Sequence, residues 1–406
     1  MNDATFRTTD LLDNLLTRRK ALKLLGAAGI ATASLPQTIA LAHQGEHEGA
    51  SPAASQAPGP REDGSMLWSV QVGGMDMDNA IDFHAFFPRE ITINAGDGIL
   101  FNFAPMGRPQ FHTVTFTSGE ELPPLFVPDM ADGTPVVSDE GAVQLQINLA
   151  VAWPDGRTEY DGTGMTNSGL DVLRTEDQGP YILNFTEPGT YEYACVVHAV
   201  VMKGTVVVQE AGAEYPNDQA GYDAMGQEEM AGYTEEALDQ VAELEGMVAT
   251  PSAQGPTTWD VVAGAGGLTS ARVMSFIPRE LTVKAGDTVR WTVRSDGEPH
   301  TVTFLGGEEP PEDVLIEPQS SGSPKILQNN VTFLPSGGPE HDGTAYANSG
   351  FMALPPEINE MFGLVGETFE LTFTEPGEYP YYCILHSSGP ESEGPMEMNG
   401  RIIVEG

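Results

Sequence analysis

Residues 186–208 read TEPGTYEYACVVHAVVMKGTVVV, and residues 374–404 read TEPGEYPYYCILHSSGPESEGPMEMNGRIIV. These two stretches hold the only cysteines in the chain, Cys195 and Cys383, at the same point of a repeated phrase. The repetition extends well upstream. FHAFFPREITINAGDGILFNF recurs as VMSFIPRELTVKAGDTVRWTV at an offset of 190, FHTVTF as PHTVTF at 188, and YDGTGMTNSGL as HDGTAYANSGF at 181. A chain written twice in this way folds as two copies of one unit, here residues 66–210 and 257–406. At 406 residues and 40% hydrophobic content, each copy is long enough to bury its own core.

Inside each copy, short runs such as REITINA, HTVTF and YILNFTEPGTYEYAC alternate apolar with polar residues and are rich in β-branched and aromatic side chains. Ala-Gly-Asp, Pro-Gly and Asp-Gly turns break them, a pattern that predicts an all-β unit, an antiparallel sandwich or barrel. Between the copies, residues 211–256 form an acidic linker. Its segment YTEEALDQVAELEGMV predicts a short helix, with Thr234 as N-cap and Gly246 as stop, or a solvated tether if it fails to dock. Residues 43–65, small, polar and proline-bearing, read as a flexible lead-in.

The first 42 residues carry paired Arg18 and Arg19 before a mildly apolar run ending in Ala40, Leu41 and Ala42. This resembles a twin-arginine export signal. A retained membrane anchor is the weaker reading, because the run falls short of the ~20 apolar residues a spanning helix needs. No later segment reads as transmembrane, so the expectation is an exported protein, periplasmic, extracellular or at the cell surface, starting near His43 with no stable membrane span. If cleavage follows Ala42, His43 and nearby His47 offer a minor amine–imidazole chelate, with a free tail the blander alternative. A formal net charge of −41 excludes nucleic acid as a partner. After residue 42 only Lys203, Lys284 and Lys325 remain as lysines. High acid with scarce lysine reads as salt adaptation; an acidic exported protein from a low-salt setting is the alternative.

Matched contexts make the two cysteines a poor disulfide pair and good candidates for two equivalent metal sites. A blue-copper site needs two imidazoles and a thiolate in a plane with a weak axial thioether. The first copy offers His112 and, 83 residues on, Cys195, His198 and Met202; the second offers His300 and, again 83 residues on, Cys383 and His386. Three residues separate His198 from Met202, while a longer segment follows His386. There Met398 is favoured over Met396, because MNGRIIV aligns with MKGTVVV. Taken singly, each residue is more often an ordinary core or surface group; the ordered recurrence of all four types points to metal.

PGTYEYACVVHAVVMKGTVVV, and PGEYPYYCILH followed by MNGRIIV, resemble the C-terminal signature of the plastocyanin and halocyanin branch of the cupredoxins. The resemblance covers nearly all of both copies. It implies two tandem Greek-key β-sandwiches, each with one type 1 copper passing single electrons between redox proteins of an extracytoplasmic electron-transport chain. It carries the copper-ligand role onto His112, Cys195, His198 and Met202, and onto His300, Cys383, His386 and Met398. The 83-residue interval is longer than in small plastocyanins and contains the repeated DGTGMTNSG or DGTAYANSG. An unequal axial region would tune the two sites apart. No catalytic residues are expected. A copper buffer or delivery protein is the alternative, and a copper-dependent oxidoreductase a weaker one. The latter needs further histidines, yet Cys195 is flanked by Ala194 and Val196, and Cys383 by Tyr382 and Ile384. His84 and His341 face Met274 and Tyr160 in the opposite copy, which gives them local rather than shared roles.

Overall fold

The computed structural model describes residues 57–103, 111–137, 142–174, 180–245, 256–267, 269–295, 297–319, 324–354 and 368–406. Residues 1–42, read above as resembling an export signal, lie outside them, as do His43, His47 and Gly246.

In the first repeat, period-two alternation builds two facing sheets. One runs in the order Gly59–Pro60, Met66–Val72, Gly98–Phe103, Tyr181–Phe185, Glu159–Tyr160, with Phe86–Phe87 on the edge of Met66–Val72. The other runs Thr166–Asn167, Thr115–Phe116, Gly189–Ala194, Lys203–Gln209, Glu90–Asn94. Their inward residues form one core, including Trp68, Val70, Ile91, Phe101, Phe116, Phe185, Tyr193 and Val206. The second repeat copies the latter sheet as Ala347–Asn348, Thr303–Phe304, Gly377–Tyr382, Asn399–Glu405, Glu280–Lys284. Its own core gathers around Trp291, Phe304, Phe373 and Tyr381. The all-β class expected from the alternation is what forms, but the sheets are mixed rather than purely antiparallel: Met66–Val72 pairs parallel with Gly98–Phe103, and Lys203–Gln209 parallel with Glu90–Asn94.

The Ala-Gly-Asp turns tie each sandwich shut. Asp97 accepts hydrogen bonds from the Met66 and Asn94 amides, the Trp68 indole and the Tyr215 hydroxyl. Asp287 accepts from the Thr257 and Lys284 amides and the Trp259 indole. One carboxylate thus satisfies three or four donors drawn from separate parts of the sandwich, most of them at least partly buried.

The repeats are joined by more than their connecting chain. Ala271–Ile277 of the second repeat pairs antiparallel with Ile81–Phe83 of the first, Arg272 opposite Asp82. The inserted segments meet as well: Lys325–Gln328 pairs with Leu145–Ile147, and Lys325 Nζ lies 2.6 Å from Asp129 Oδ1. Across the junction lies the helix Gln219–Glu245. Tyr222, Gly226, Met230, Tyr233, Ala237, Val241 and Leu244 recur at three- and four-residue spacing, one face of a helix. Its later turns pack on Phe83 and Phe87 of the first repeat and Ala265, Val273 and Ile277 of the second. Gly226 permits this approach, since a Cβ there would sit 3.0 Å from that of Phe87.

Two expectations need correction. The helix begins at Gln219, so Thr234 lies mid-helix with its hydroxyl donating back to the Met230 carbonyl. The cap is Asp218, whose carboxylate accepts from the Gly221 amide, and Thr234 was misleading because threonine also back-bonds inside helices. The lead-in is ordered at its end: Gly59–Pro60 pairs with the following strand, and Arg61 donates to Asn184 Oδ1.

Burial opposes ionisation of Asp287, but its three donors win and hold its carboxyl below the ordinary value. A group depressed in the folded state adds stability above its unfolded pKa, and that stability is lost as pH falls through the folded one. Asp287→Asn should therefore destabilise the chain near neutrality by about 1–3 kcal/mol and flatten the acid limb of its stability curve, as read by denaturant unfolding between pH 3 and 7.

Candidate metal centres

In both repeats the strand after Pro-Gly delivers the cysteine to the end of the sandwich, beside the HTVTF segment that carries the upstream histidine. The neighbouring strands fix this approach: Ala194 pairs with Thr115, and Tyr382 with Thr303. His112 Nδ1 lies 3.1 Å from His198 Nδ1, and Cys195 Sγ lies 4.0 and 3.7 Å from these two nitrogens. In the second repeat His300 Nδ1 and His386 Nδ1 are 3.2 Å apart, with Cys383 Sγ 3.4 Å from the latter. All three residues of the first cluster are buried, as are His300 and Cys383, while His386 is partly open. Imidazole nitrogens at about 2.0–2.1 Å and a thiolate at about 2.3 Å from one ion leave separations of this order between them. The donor set, two nitrogens and one soft sulfur, fits copper.

The thiols are prepared for ionisation. Burial alone would raise the Cys195 pKa; hydrogen bonds and charge from His112 and His198 overcome it and hold the thiol well below its ordinary value. Cys383 is held down in the same way, His386 contributing most against burial. Each sulfur also accepts from a backbone amide, Thr113 N at 3.4 Å and Thr301 N at 3.3 Å. Such donors favour the thiolate, the form that binds metal.

The methionines take matching places. Cys195 N donates to Met202 O and Met202 N to His198 O. Cys383 N donates to Met398 O and Met398 N to His386 O. Met202 and Met398 are fully buried in the same cores as their cysteines. Met396 points elsewhere, into a cluster with Met75 and Met274. The intervening SSGPESEGP is folded on Glu397, whose carboxylate accepts from the Ser387 hydroxyl and the Ser388 amide. The longer loop therefore returns the backbone to the register of the first repeat.

The repeated NSG motif works beneath each site. Asn167 accepts from Thr115 Oγ1 and donates to the Val151 and Trp153 carbonyls, and Ser168 Oγ accepts from Val114 N. Asn348 and Ser349 repeat these roles toward Thr303 and Val302. Thr113 and Thr301 then accept from the amides that follow the cysteines, Val196 N and Ile384 N. The inserted segment thus braces the histidine strand against the cysteine loop. Repetition marked it in the sequence, but its partners could not be read there.

His300 has a further support. Ser295 Oγ donates to Glu298 O and lies 2.8 Å from His300 Nε2, so it accepts the proton there and leaves Nδ1 free for metal. Gly264 makes room, since a Cβ at its positive φ would fall 2.1 Å from His300 Nε2. His112 Nε2 is buried with no such partner among the described residues.

Two residues join the sites that the motif did not single out together. Glu298 of the second repeat is buried, with Oε1 2.7 Å from His386 Nε2 and Oε2 3.2 Å from His198 Nε2. His84 stacks on His198, ring centroids 3.7 Å apart, and with Glu298 and His198 forms a third group of convergent ligand atoms. Burial and the neighbouring His198 hold the His84 pKa down to about 3, so the ring is neutral. His341, in contrast, packs among Phe304, Phe373 and Tyr379.

Residues 263–405 match the family of copper binding proteins described as plastocyanin/azurin. Among solved structures, a Cu(I) form of an amicyanin variant is 23% identical, covering 40% of this chain and 89% of the amicyanin, with a TM-score of 0.19. The reduced form of another amicyanin variant gives 24% identity, the same coverages and the same TM-score. The family match lies on the second repeat, and the His–Cys–His clusters of both repeats offer a donor set that fits copper.

Ser295→Ala should weaken metal binding at the second site by about 10–100-fold while sparing the first, as read by metal titration of single-site Cys→Ser backgrounds.

Proposed function

We propose that the chain is an exported two-domain blue-copper protein carrying single electrons, with one type 1 site in each repeat. The observation that carries the reading is the duplicated triangle of two Nδ1 atoms and one buried Sγ, reached by the same elements in both halves. His112, Cys195, His198 and Met202 would hold one ion, and His300, Cys383, His386 and Met398 the other. Copper, when bound, supplies the one-electron couple between Cu(I) and Cu(II). The chain does the rest. Backbone amides and paired imidazoles keep the sulfur ionised, the Asn–Thr–Ser brace keeps the loop from rearranging, and burial excludes water from the ligands. The favoured partners are redox proteins of an extracytoplasmic electron-transport chain. Among the described residues no helix is long and apolar enough to cross a membrane.

The export signal, salt adaptation and extracytoplasmic location belong to the same proposal. They rest on Arg18 and Arg19, on the charge of −41 and on the scarcity of lysine. Arg18→Lys with Arg19→Lys should trap the protein inside the cell; unimpaired export would contradict that route.

Copper content and visible absorption of wild type, Cys195→Ser and Cys383→Ser test the sites. Two coppers with an intense blue band in wild type, and one copper with part of the band in each variant, are expected. A single copper, or a band abolished by one substitution, would contradict one site per repeat.

A further inference from the structure

Glu298 is a carboxylate shared between two metal centres. In each of His198 and His386 the inner nitrogen, Nδ1, faces its own cysteine, and the outer nitrogen, Nε2, faces Glu298. Glu298 belongs to the second repeat, so one side chain spans from its own site into that of the other repeat. A buried carboxylate costs several kcal/mol unless it is paired; here Oε1 pairs with His386 Nε2 at 2.7 Å, while Oε2 lies 3.2 Å from His198 Nε2, an ion-pair contact without hydrogen-bond geometry. Metal held on Nδ1 would leave the ring proton of each histidine on Nε2, the atom that faces the carboxylate. Close packing holds the junction around this group. Val200, from the loop that follows His198, lies against Gly297, where an added Cβ would be 3.4 Å from its Cγ2.

The bridge occurs once, not twice. At the offset of 188 that aligns the two HTVTF segments, the first repeat carries Gln110 where the second has Glu298. Where the first repeat has His84, the second has Met274. The internal repetition is thus broken at the two positions that meet between the sites, and a single shared acid replaces what would be two.

We propose that Glu298 couples the two sites into one redox unit, the imidazole–carboxylate–imidazole chain serving as the path by which an electron placed on one site exchanges with the other. The exchange balances by itself. The site in the Cu(I) state is oxidised by one electron as the site in the Cu(II) state is reduced by one; no bond forms or breaks, and both Nε2 protons stay in place. A one-electron reductant is needed only to place the first electron. The proposal rests on the reading that both clusters hold copper.

The test uses the full chain loaded with copper, as wild type, Glu298→Gln and Glu298→Asp. Copper content and the blue band come first: fewer than two blue coppers in wild type would overturn the underlying reading, independently of the bridge. With two present, pulsed electron paramagnetic resonance reads the distance between the oxidised sites, and flash reduction with a small photochemical reductant reads the exchange rate. Glu298→Gln should leave the distance unchanged and raise both reduction potentials together, because one negative charge beside both histidines is gone. It should slow exchange by about tenfold, within the range by which a residue of a contiguous network changes the coupling of two sites. If Glu298→Gln fails to fold, Glu298→Asp keeps the charge but shortens the reach, and the same slowing with both potentials near wild type is expected. An unchanged distance with an unchanged rate would reduce Glu298 to a latch between the repeats and overturn the proposal. So would a third tightly held metal lost on substitution, which would make Glu298 a ligand together with His84.

Discussion

The described residues of each repeat converge on a buried sulfur whose surroundings favour its ionised form out of water. A lone thiolate in an apolar core is strongly disfavoured. Two imidazole nitrogens and one backbone amide face each sulfur, and those groups must in turn be held still. The histidine strand is therefore pinned by Asn167 and Ser168, or Asn348 and Ser349, and the cysteine loop is pinned to that strand through Thr113 or Thr301. Each brace therefore bears on a residue of a candidate metal centre rather than on a surface loop. This explains why so much of each repeat, well beyond the four ligands, is copied from one half to the other.

The junction follows from the same demand on a larger scale. Three separate elements span it: the pairing of Ile81–Phe83 with Ala271–Ile277, the small sheet built from both insertions, and the helix Gln219–Glu245. Together they present His198 and His386 to one carboxylate. With its ring stacked on His84 and its outer nitrogen on Glu298, His198 is 6% exposed, against 17% for His386, so the second site is the more open to solvent.

What could be read in the sequence was whatever is local or repeated. The strands announced themselves by alternation, and the candidate ligands by recurring in the same order at the same 83-residue interval. Met398 could be preferred over Met396 because the glycine two residues later keeps register with Gly204. What could not be read was whatever depends on the two halves meeting. Glu298 is one of 59 acids, and its meaning lies in His198, a hundred residues earlier. His84 looked local because its counterpart is Met274. The start of the long helix was missed because NDQAGYDAMGQ mixes turn formers with helix formers, and only the face packed across both repeats sustains it.

The position of bound copper decides between one site in each repeat and any other arrangement. Crystals of the full chain grown with copper, and a diffraction map recorded at the copper absorption edge, would locate it directly. Two peaks per chain are predicted, one within His112, Cys195 and His198 and one within His300, Cys383 and His386, with the Glu298 carboxylate between them. A single peak, or a peak enclosed by His84, His198 and Glu298 instead, would contradict it.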